Sequence, residues 1–335
     1  MDAHLPTVNV HRDVPTTRLA PSPTGALHLG NGRTFLVNWL LARRRGWRVL
    51  LRIEDLDGPR VKRGADVQAI DDLRWLGLDW DDGPIYQSPR APLYRTAVER
   101  LVRSGQAYPC VCTRKEVDAA ASAPHAEDGA AVYPGTCRNR FASIDDARRH
   151  AGREPAIRFR VPDGEVAFDD VFRGRVAIDV ARRLGDFVIA KGDGTAAYQL
   201  AVVVDDADMS VSDVVRGDDL IESTPRQILL YRALDWADRI PHYCHLPLVI
   251  GPDGRRLAKR HGDTRLSAYR AAGASAGDVL RLLATWCGIG AVEEVARASD
   301  LLGKFDLARV PRDPIVFDPS KSRTLVPSPG TPGEG

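Results

Sequence analysis

The apolar–polar pattern opens on a short extended run, Thr16 to Ala20, with a Pro-Ser-Pro-Thr-Gly turn (Pro21 to Gly25) after it. From about Asn31 to Arg45 the period changes. Phe35, Leu36, Trp39, Leu40 and Leu41 recur at helical spacing, which predicts a helix. Val49 to Ile53 then reads as a strand, with Glu54, Asp55, Leu56, Asp57 and Gly58 at its carboxyl end. Strand, glycine-bearing turn, helix, strand is the opening of an open α/β sheet. Ligands of such sheets bind at the carboxyl ends of strands, where both the early turn and the acidic segment fall.

Two more helices are expected over Val67 to Leu76 and Pro92 to Ser104. Cys110 to about Val180 has weaker periodicity, an alanine-rich patch (Ala119 to Ala131) and hairpin-like runs at Asp163-Gly164 and Arg173-Gly174. It reads as an insertion between two halves of the sheet. The α/β pattern resumes with Ala197 to Val204 and with Leu246 to Ile250, the latter a predicted strand. The expected division is 16–105 for the first half of the α/β domain, 106–195 for the insertion and 196–263 for the second half. A helical unit over 264–318 and a Pro/Gly/Ser-rich disordered tail over 319–335 complete it.

Composition changes this picture little. The 47 basic and 45 acidic residues leave a formal charge of +2, which does not by itself announce a nucleic-acid binder. No apolar run approaches the roughly 20 residues that span a bilayer, and the N-terminus lacks the layout of a secretory signal. Five cysteines, an odd count, argue against a disulfide framework. A cytoplasmic protein with no membrane partner is expected.

Three groups carry candidate chemistry. Pro23 to Asn31 places His28 and two glycines where strand gives way to helix; backbone can approach a nucleotide there, and a helix N-terminus offers N–H groups to phosphates. It contains no G-x-G-x-x-G, and a plain tight turn with a surface histidine is the bland alternative. Gly254 to Gly262, GRRLAKRHG, is a basic loop whose Lys259 suits polyphosphate, against the alternative of a solvated loop. Cys110, Cys112 and Cys137 supply three thiolates of a tetrahedral metal shell, against three buried thiols without metal. His242, Cys244 and His245 are read as non-ligating, because strand alternation sends neighbours to opposite faces, and Cys287 as core.

Taken in order, RLAPSPTGALHLGN (Arg18 to Asn31), RIEDLD, the loop RRLAKRHG and AYQLAVVVDDADMSVSDVVRGDDLIESTPRQILL (Ala197 to Leu230) resemble the class I glutamyl-tRNA synthetase lineage, over roughly Thr17 to Thr264. The signatures matched are a His-x-Gly-His-type motif and a Lys-Met-Ser-Lys-Ser-type loop. Within the lineage the chain is most similar to the short form, the glutamyl-Q tRNA(Asp) synthetases. Only about seventy residues follow Lys259, too few for the long helical anticodon-binding region of full-length relatives.

The resemblance implies an α/β fold, a class I synthetase Rossmann-like parallel sheet with an inserted, zinc-binding subdomain and a small C-terminal helical unit. It implies that glutamate is activated with ATP, without RNA, and transferred to the queuosine base in the anticodon stem-loop of tRNA(Asp). By the same match Arg18, Leu19, Ala20, Pro21 and Ser22 contact glutamate, Glu54 receives its ammonium, and Tyr198 and Arg216 complete the set. Arg18 and Arg216 then offer two guanidiniums to a doubly acidic substrate. His28, Gly30, Asn31 and Lys259 fall to ATP, which magnesium accompanies, and His28 and Lys259 to catalysis. Tyr133, four residues before Cys137, becomes the fourth ligand of one structural Zn2+, with His125 as fallback.

Two departures stand out. Asn31 replaces the second histidine of the first motif, and Ala258 stands where the loop usually has serine, removing one hydroxyl from the phosphates. Candidate RNA contacts are Arg43, Arg44, Arg45, Arg138, Arg140, Arg255 and Arg260. A monomer is expected. The competing readings are a truncated glutamyl-tRNA synthetase charging the acceptor end of tRNA(Glu), a small nucleotidyltransferase, and a non-catalytic RNA-binding paralogue.

Overall fold

The computed structural model describes residues 14–113, 115–117, 132–255, 257 and 263–318. Lys259, Ala258, Arg260, His125, the alanine-rich patch over 119–131 and the tail over 319–335 lie outside the described residues.

Strands β1 (Thr16–Leu19), β2 (Arg48–Ile53) and β3 (Asp82–Tyr86) form a parallel sheet in that order. Strands β4 (Ala107–Cys110), β5 (Ala156–Phe159), β6 (Glu165–Asp170), β7 (Gly174–Asp179) and β8 (Phe187–Ala190) follow. The parallel pattern resumes with β9 (Asp213–Gly217) and β10 (His242–Leu246), paired to each other. β9 lies beside β1, since Ser212 N–H donates to Thr16 O at 2.9 Å and Thr16 N–H to Ser212 Oγ at 2.9 Å. Read across, the order is β3-β2-β1-β9-β10, and it reverses between β1 and β9. Arg18 and Arg216 sit near the carboxyl ends of those two strands, at the switch point where open α/β sheets place their ligands.

The first helix spans Leu29–Arg45 and ends at Gly46, whose φ of 67° lets its N–H reach back to Ala42 O and Arg43 O. Its buried residues include Leu36, Val37, Leu40 and Leu41, but also Arg33 and Asn38, so it is not simply amphipathic. One side faces the sheet and another faces helix Ala276–Trp286. Asn38 is matched, its Nδ2–H donating to Arg18 O (3.0 Å) and its Oδ1 accepting from Thr17 Oγ1–H (2.9 Å); Arg33 bonds Pro247 O and Trp286 O, while its Nη2 has no partner among the described residues. Asn38 therefore ties the strand carrying Arg18 to the helix that starts at the nucleotide motif.

Helices Ala65–Trp75 and Ala91–Arg103 lie within two residues of the spans expected from periodicity. The Ala197–Val204 run is the start of a helix, Tyr198–Asp208, buried from Gln199 to Ala207. A continuously apolar stretch alone does not distinguish that from a strand. The strand expected over Leu246 to Ile250 is instead β10, ending at Leu246, followed by β11 (Val249–Ile250). Pro247 has no N–H to give a ladder, so the break falls there.

Between the sheet halves, β4, β5 and β8 form an antiparallel sheet, and β6 and β7 a hairpin. Of the two expected turns, Arg173-Gly174 closes that hairpin. Asp163-Gly164 only links β5 to β6, which do not pair. After the basic loop come helices Leu266–Ala271 and Ala276–Trp286, then β12 (Ile315–Val316), which pairs with β11. Among the described residues, no helix is long and apolar enough to cross a membrane.

Candidate active site

A cleft of about 510 Å³ opens at the switch point. Its lining includes Arg18, Ala20, Pro21, Ser22, His28, Gly30, Asn31, Glu54, Tyr198 and Arg216. Arg18 and Arg216, 198 positions apart in sequence, are thus brought to one cavity. Leu19 is not among the lining residues. It is fully buried in the main core, so its side chain faces away from any ligand.

Each polar group is held from behind. Arg18 Nε lies 3.5 Å from Asp206 Oδ1. Arg52, fully buried on β2, donates through Nη1 to the same carboxylate at 2.6 Å and through Nη2 to Glu54 Oε1 at 3.1 Å. Glu54 N–H in turn bonds Pro21 O at 3.1 Å, joining the acidic segment to the first turn. Burial raises the Glu54 carboxyl above its ordinary range, against the opposing pull of Arg52 and Arg18. Tyr198 opens the helix behind the cleft and keeps 38% of its surface exposed. Arg216 is buried, and its Nη1 has no hydrogen-bond partner among the described residues.

Beneath these side chains lies a second charged layer that the sequence reading did not single out. Asp205 accepts from Gln87 Nε2 (2.7 Å), Arg90 Nε (2.7 Å) and Tyr94 Oη (2.9 Å). Two adjacent aspartates inside the apolar run Ala201 to Ala207 were the available signal. Carboxylates on a helix buried all round must be paired.

The nucleotide motif forms the start of the first helix. His28 is its N-cap: His28 Nδ1 accepts from Asn31 N–H (3.4 Å), while Asn31 Oδ1 accepts from His28 N–H (3.2 Å). A Cβ at Gly30 would stand 3.1 Å from the His28 ring, so glycine keeps the cap uncrowded. Asn31, in place of a second histidine, thus has a structural role of its own. The residues after the basic loop dock on this motif: Leu29 N–H bonds Thr264 O and Leu266 N–H bonds Leu27 O, both at 2.9 Å.

A second constellation lies in the insertion. The sulfurs of Cys110, Cys112 and Cys137 all fall within 4.8 Å of one another. Tyr133 Oη stands 3.4 Å from Cys110 Sγ and 3.6 Å from Cys112 Sγ, and Cys112 Sγ is 3.5 Å from Cys137 Sγ. Tetrahedral zinc with bonds of about 2.3 Å spaces its sulfurs by about 3.8 Å, so this group could hold such an ion. Arg158 donates to Cys110 Sγ at 3.3 Å and lies 3.8 Å from the centre of the Tyr133 ring, placing a cation beside the group. Burial pushes the Cys112 thiol up to about 11. His242 is exposed and His245 fully buried, and neither belongs to a metal-like cluster among the described residues. Cys287 is fully buried in the core.

The basic candidates for RNA are partly committed elsewhere. Arg43 bridges Asp79 and Asp81, Arg45 lies over Trp47, and Arg138 pairs with Asp186. Arg140 contacts His150 and Phe141, whereas Arg44 and Arg255 are exposed.

A parallel sheet with its cleft at the switch point and a histidine-capped first helix defines a class I synthetase fold. The family model for class I tRNA synthetases (E and Q), catalytic domain, matches residues 15–322, and the chain belongs to that family. It is therefore an enzyme of the aminoacyl-tRNA synthetase class. A glutamyl-Q tRNA(Asp) synthetase of Symbiobacterium thermophilum is 51% identical over 308 residues, 89% of this chain and 94% of that protein. A glutamate–tRNA ligase of Geobacter sulfurreducens is 44% identical over 305 residues, covering 91% of this chain and 64% of that one. Among solved structures, a glutamate tRNA ligase from Elizabethkingia meningosepticum in complex with its amino acid superposes with a TM-score of 0.79 at 28% identity. That match covers 93% of this chain and 68% of the ligase. The short-form resemblance read from the sequence is thus matched by relatives of the same name.

Proposed function

We propose that the chain activates glutamate with ATP, in the absence of RNA, and transfers the glutamyl group to the queuosine base in the anticodon of tRNA(Asp). The observation that carries this reading is the convergence of Arg18, Glu54, Tyr198 and Arg216 on one cleft beside the His28 helix start. Two buried guanidiniums and one carboxylate complement a substrate with two carboxylates and one ammonium. Likeness to a protein named for the queuosine reaction, along 94% of its length, favours the base over the acceptor end.

In the proposed reaction a carboxylate oxygen of glutamate attacks the α-phosphorus of ATP, a new O–P bond forms, and pyrophosphate leaves. The residues supply no covalent nucleophile, so rate comes from alignment and from stabilising charge on the phosphates. His28, Gly30 and Asn31 hold the nucleotide at the helix start. Lys259, outside the described residues, is assigned to the departing phosphates, with magnesium as the companion of ATP. The activated carbonyl is then attacked by an RNA hydroxyl and AMP leaves.

The discriminating test supplies labelled glutamate and ATP with queuosine-containing tRNA(Asp), queuosine-free tRNA(Asp) and tRNA(Glu). Label is expected on the first alone, and it should persist when the 3′ terminus is blocked. Label at the 3′ end of tRNA(Glu) would establish the acceptor-end reading instead.

Cys110, Cys112, Cys137 and Tyr133 are assigned to one structural zinc, the phenol completing the three thiolates. Metal analysis of the purified chain should find zinc, and Cys137→Ser should lower its content and the melting temperature together. Equal content in the variant would remove Cys137 from the shell.

A further inference from the structure

His245 lies on β10, fully buried and one strand away from the cleft. Its Nδ1 is 2.6 Å from Asp170 Oδ2, at the end of the inserted strand β6. Asp170 also accepts from the backbone N–H groups of Phe172 (2.9 Å), Arg173 (2.7 Å) and His245 (3.2 Å), which together fix its orientation. A carboxylate receiving these bonds is ionised and can only accept, so the histidine proton sits on Nδ1. Nε2 is left as a lone pair. It faces Arg216 Nε–H at 3.0 Å.

The other side of the guanidinium is fixed as well. Arg216 Nη2 donates to Thr224 Oγ1 at 2.8 Å and to Leu220 O at 3.3 Å. The Tyr243 ring lies 5.3 Å from the guanidinium and stacks on His245 at an interplanar angle of 14°. With Nε and Nη2 engaged, Nη1 of this cleft-lining residue remains buried and unbonded among the described residues. Among the described residues the hydrogen-bond partners of Arg216 are neutral, so within them its positive charge is left for a ligand to meet.

We infer that His245, held in one tautomer by Asp170, is the positioning residue that aims Arg216 at a carboxylate of the substrate. This rests on the glutamate reading of the cleft and adds the device that orients it. Burial holds the His245 ring below its ordinary pKa against the pull of Asp170, so the acceptor lone pair is present at neutral pH. Asp170 belongs to the inserted hairpin, whose turn is also tied to the rest of the chain. Arg173 pairs with Asp218, and Arg312 donates to Phe172 O at 2.9 Å. The insertion thus supplies the anchor of an amino-acid contact in the catalytic sheet.

The test is glutamate-dependent ATP–pyrophosphate exchange on the full chain, with KM measured for each substrate. His245→Leu removes the acceptor and should raise KM for glutamate by on the order of 10- to 100-fold, with KM for ATP nearly unchanged. His245→Gln can return an acceptor oxygen to the Nε2 position, and should recover most of that loss. Asp170→Asn releases the tautomer and should raise KM for glutamate alone. A residue that merely fills space would move both KM values or neither, with Gln no better than Leu, and that pattern overturns the inference. If His245→Leu does not fold, an unchanged KM for glutamate in Asp170→Asn overturns it. Absence of glutamate-dependent exchange in the unaltered chain would sink the functional reading instead. Positioning would then be decided by crystals of His245→Gln and Asp170→Asn: a guanidinium turned from the cleft only in the latter supports it, and the same orientation in both refutes it.

Discussion

Replacing Arg216 by alanine is expected to lower kcat/KM for glutamate activation by on the order of 10³-fold, about 4 kcal/mol, while KM for ATP stays within a few-fold. The size follows from burial. On the proposed reading a substrate carboxylate entering the cleft gives up its water, and the Arg216 Nη1 group, unbonded among the described residues, would replace it. Arg216→Lys should recover little. An ammonium keeps the charge but cannot bond His245, Thr224 and a carboxylate with the geometry of a planar fork. Folding should respond differently. A buried cation held only by neutral partners is a cost in the free protein, so Arg216→Ala should leave stability to urea unchanged or raised. A variant that lost stability and activity in parallel would mean that Arg216 serves the fold and not the ligand.

Asp205→Ala should do the reverse, destabilising the protein by about 3–5 kcal/mol in urea unfolding. Asp205 is fully buried, and its removal takes the acceptor from Gln87 Nε2, Tyr94 Oη and Arg90 Nε at once, leaving Arg90 with Asp208, while Arg52 Nε 3.9 Å away also loses a counter-charge. Arg52 carries Glu54 on its other face, so the damage should also reach glutamate binding. A loss below about 1 kcal/mol, the range of an exposed pair, would show that this layer is not what braces the site.

The pocket's contributors were named through the family resemblance; Arg18, before a proline-rich turn, and Glu54, at the end of a predicted strand, also lay where an open α/β sheet places its ligands, whereas no strand was predicted at Arg216. The bracing layer was not legible. Asp205 and Asp206 sit in a run whose apolar character marks burial without saying what they meet, and their partners come from positions 18, 52, 87, 90 and 94. His245 was set aside as a metal ligand, and alternation along a strand could not show that Asp170 and Arg216 flank it. Register had the same limit. The Pro247 break was visible as a residue, but only the pairing of β10 with β9 shows that the ladder stops before it and not after.

The pocket's claim is that glutamate is recognised and activated by this chain's own residues before any RNA arrives. Pyrophosphate exchange into ATP, run with purified chain and no RNA, measures that directly. Exchange should depend on glutamate and fall to background with glutamine, whose amide cannot satisfy a second guanidinium. Equal exchange with glutamine, or none until tRNA is added, would contradict it.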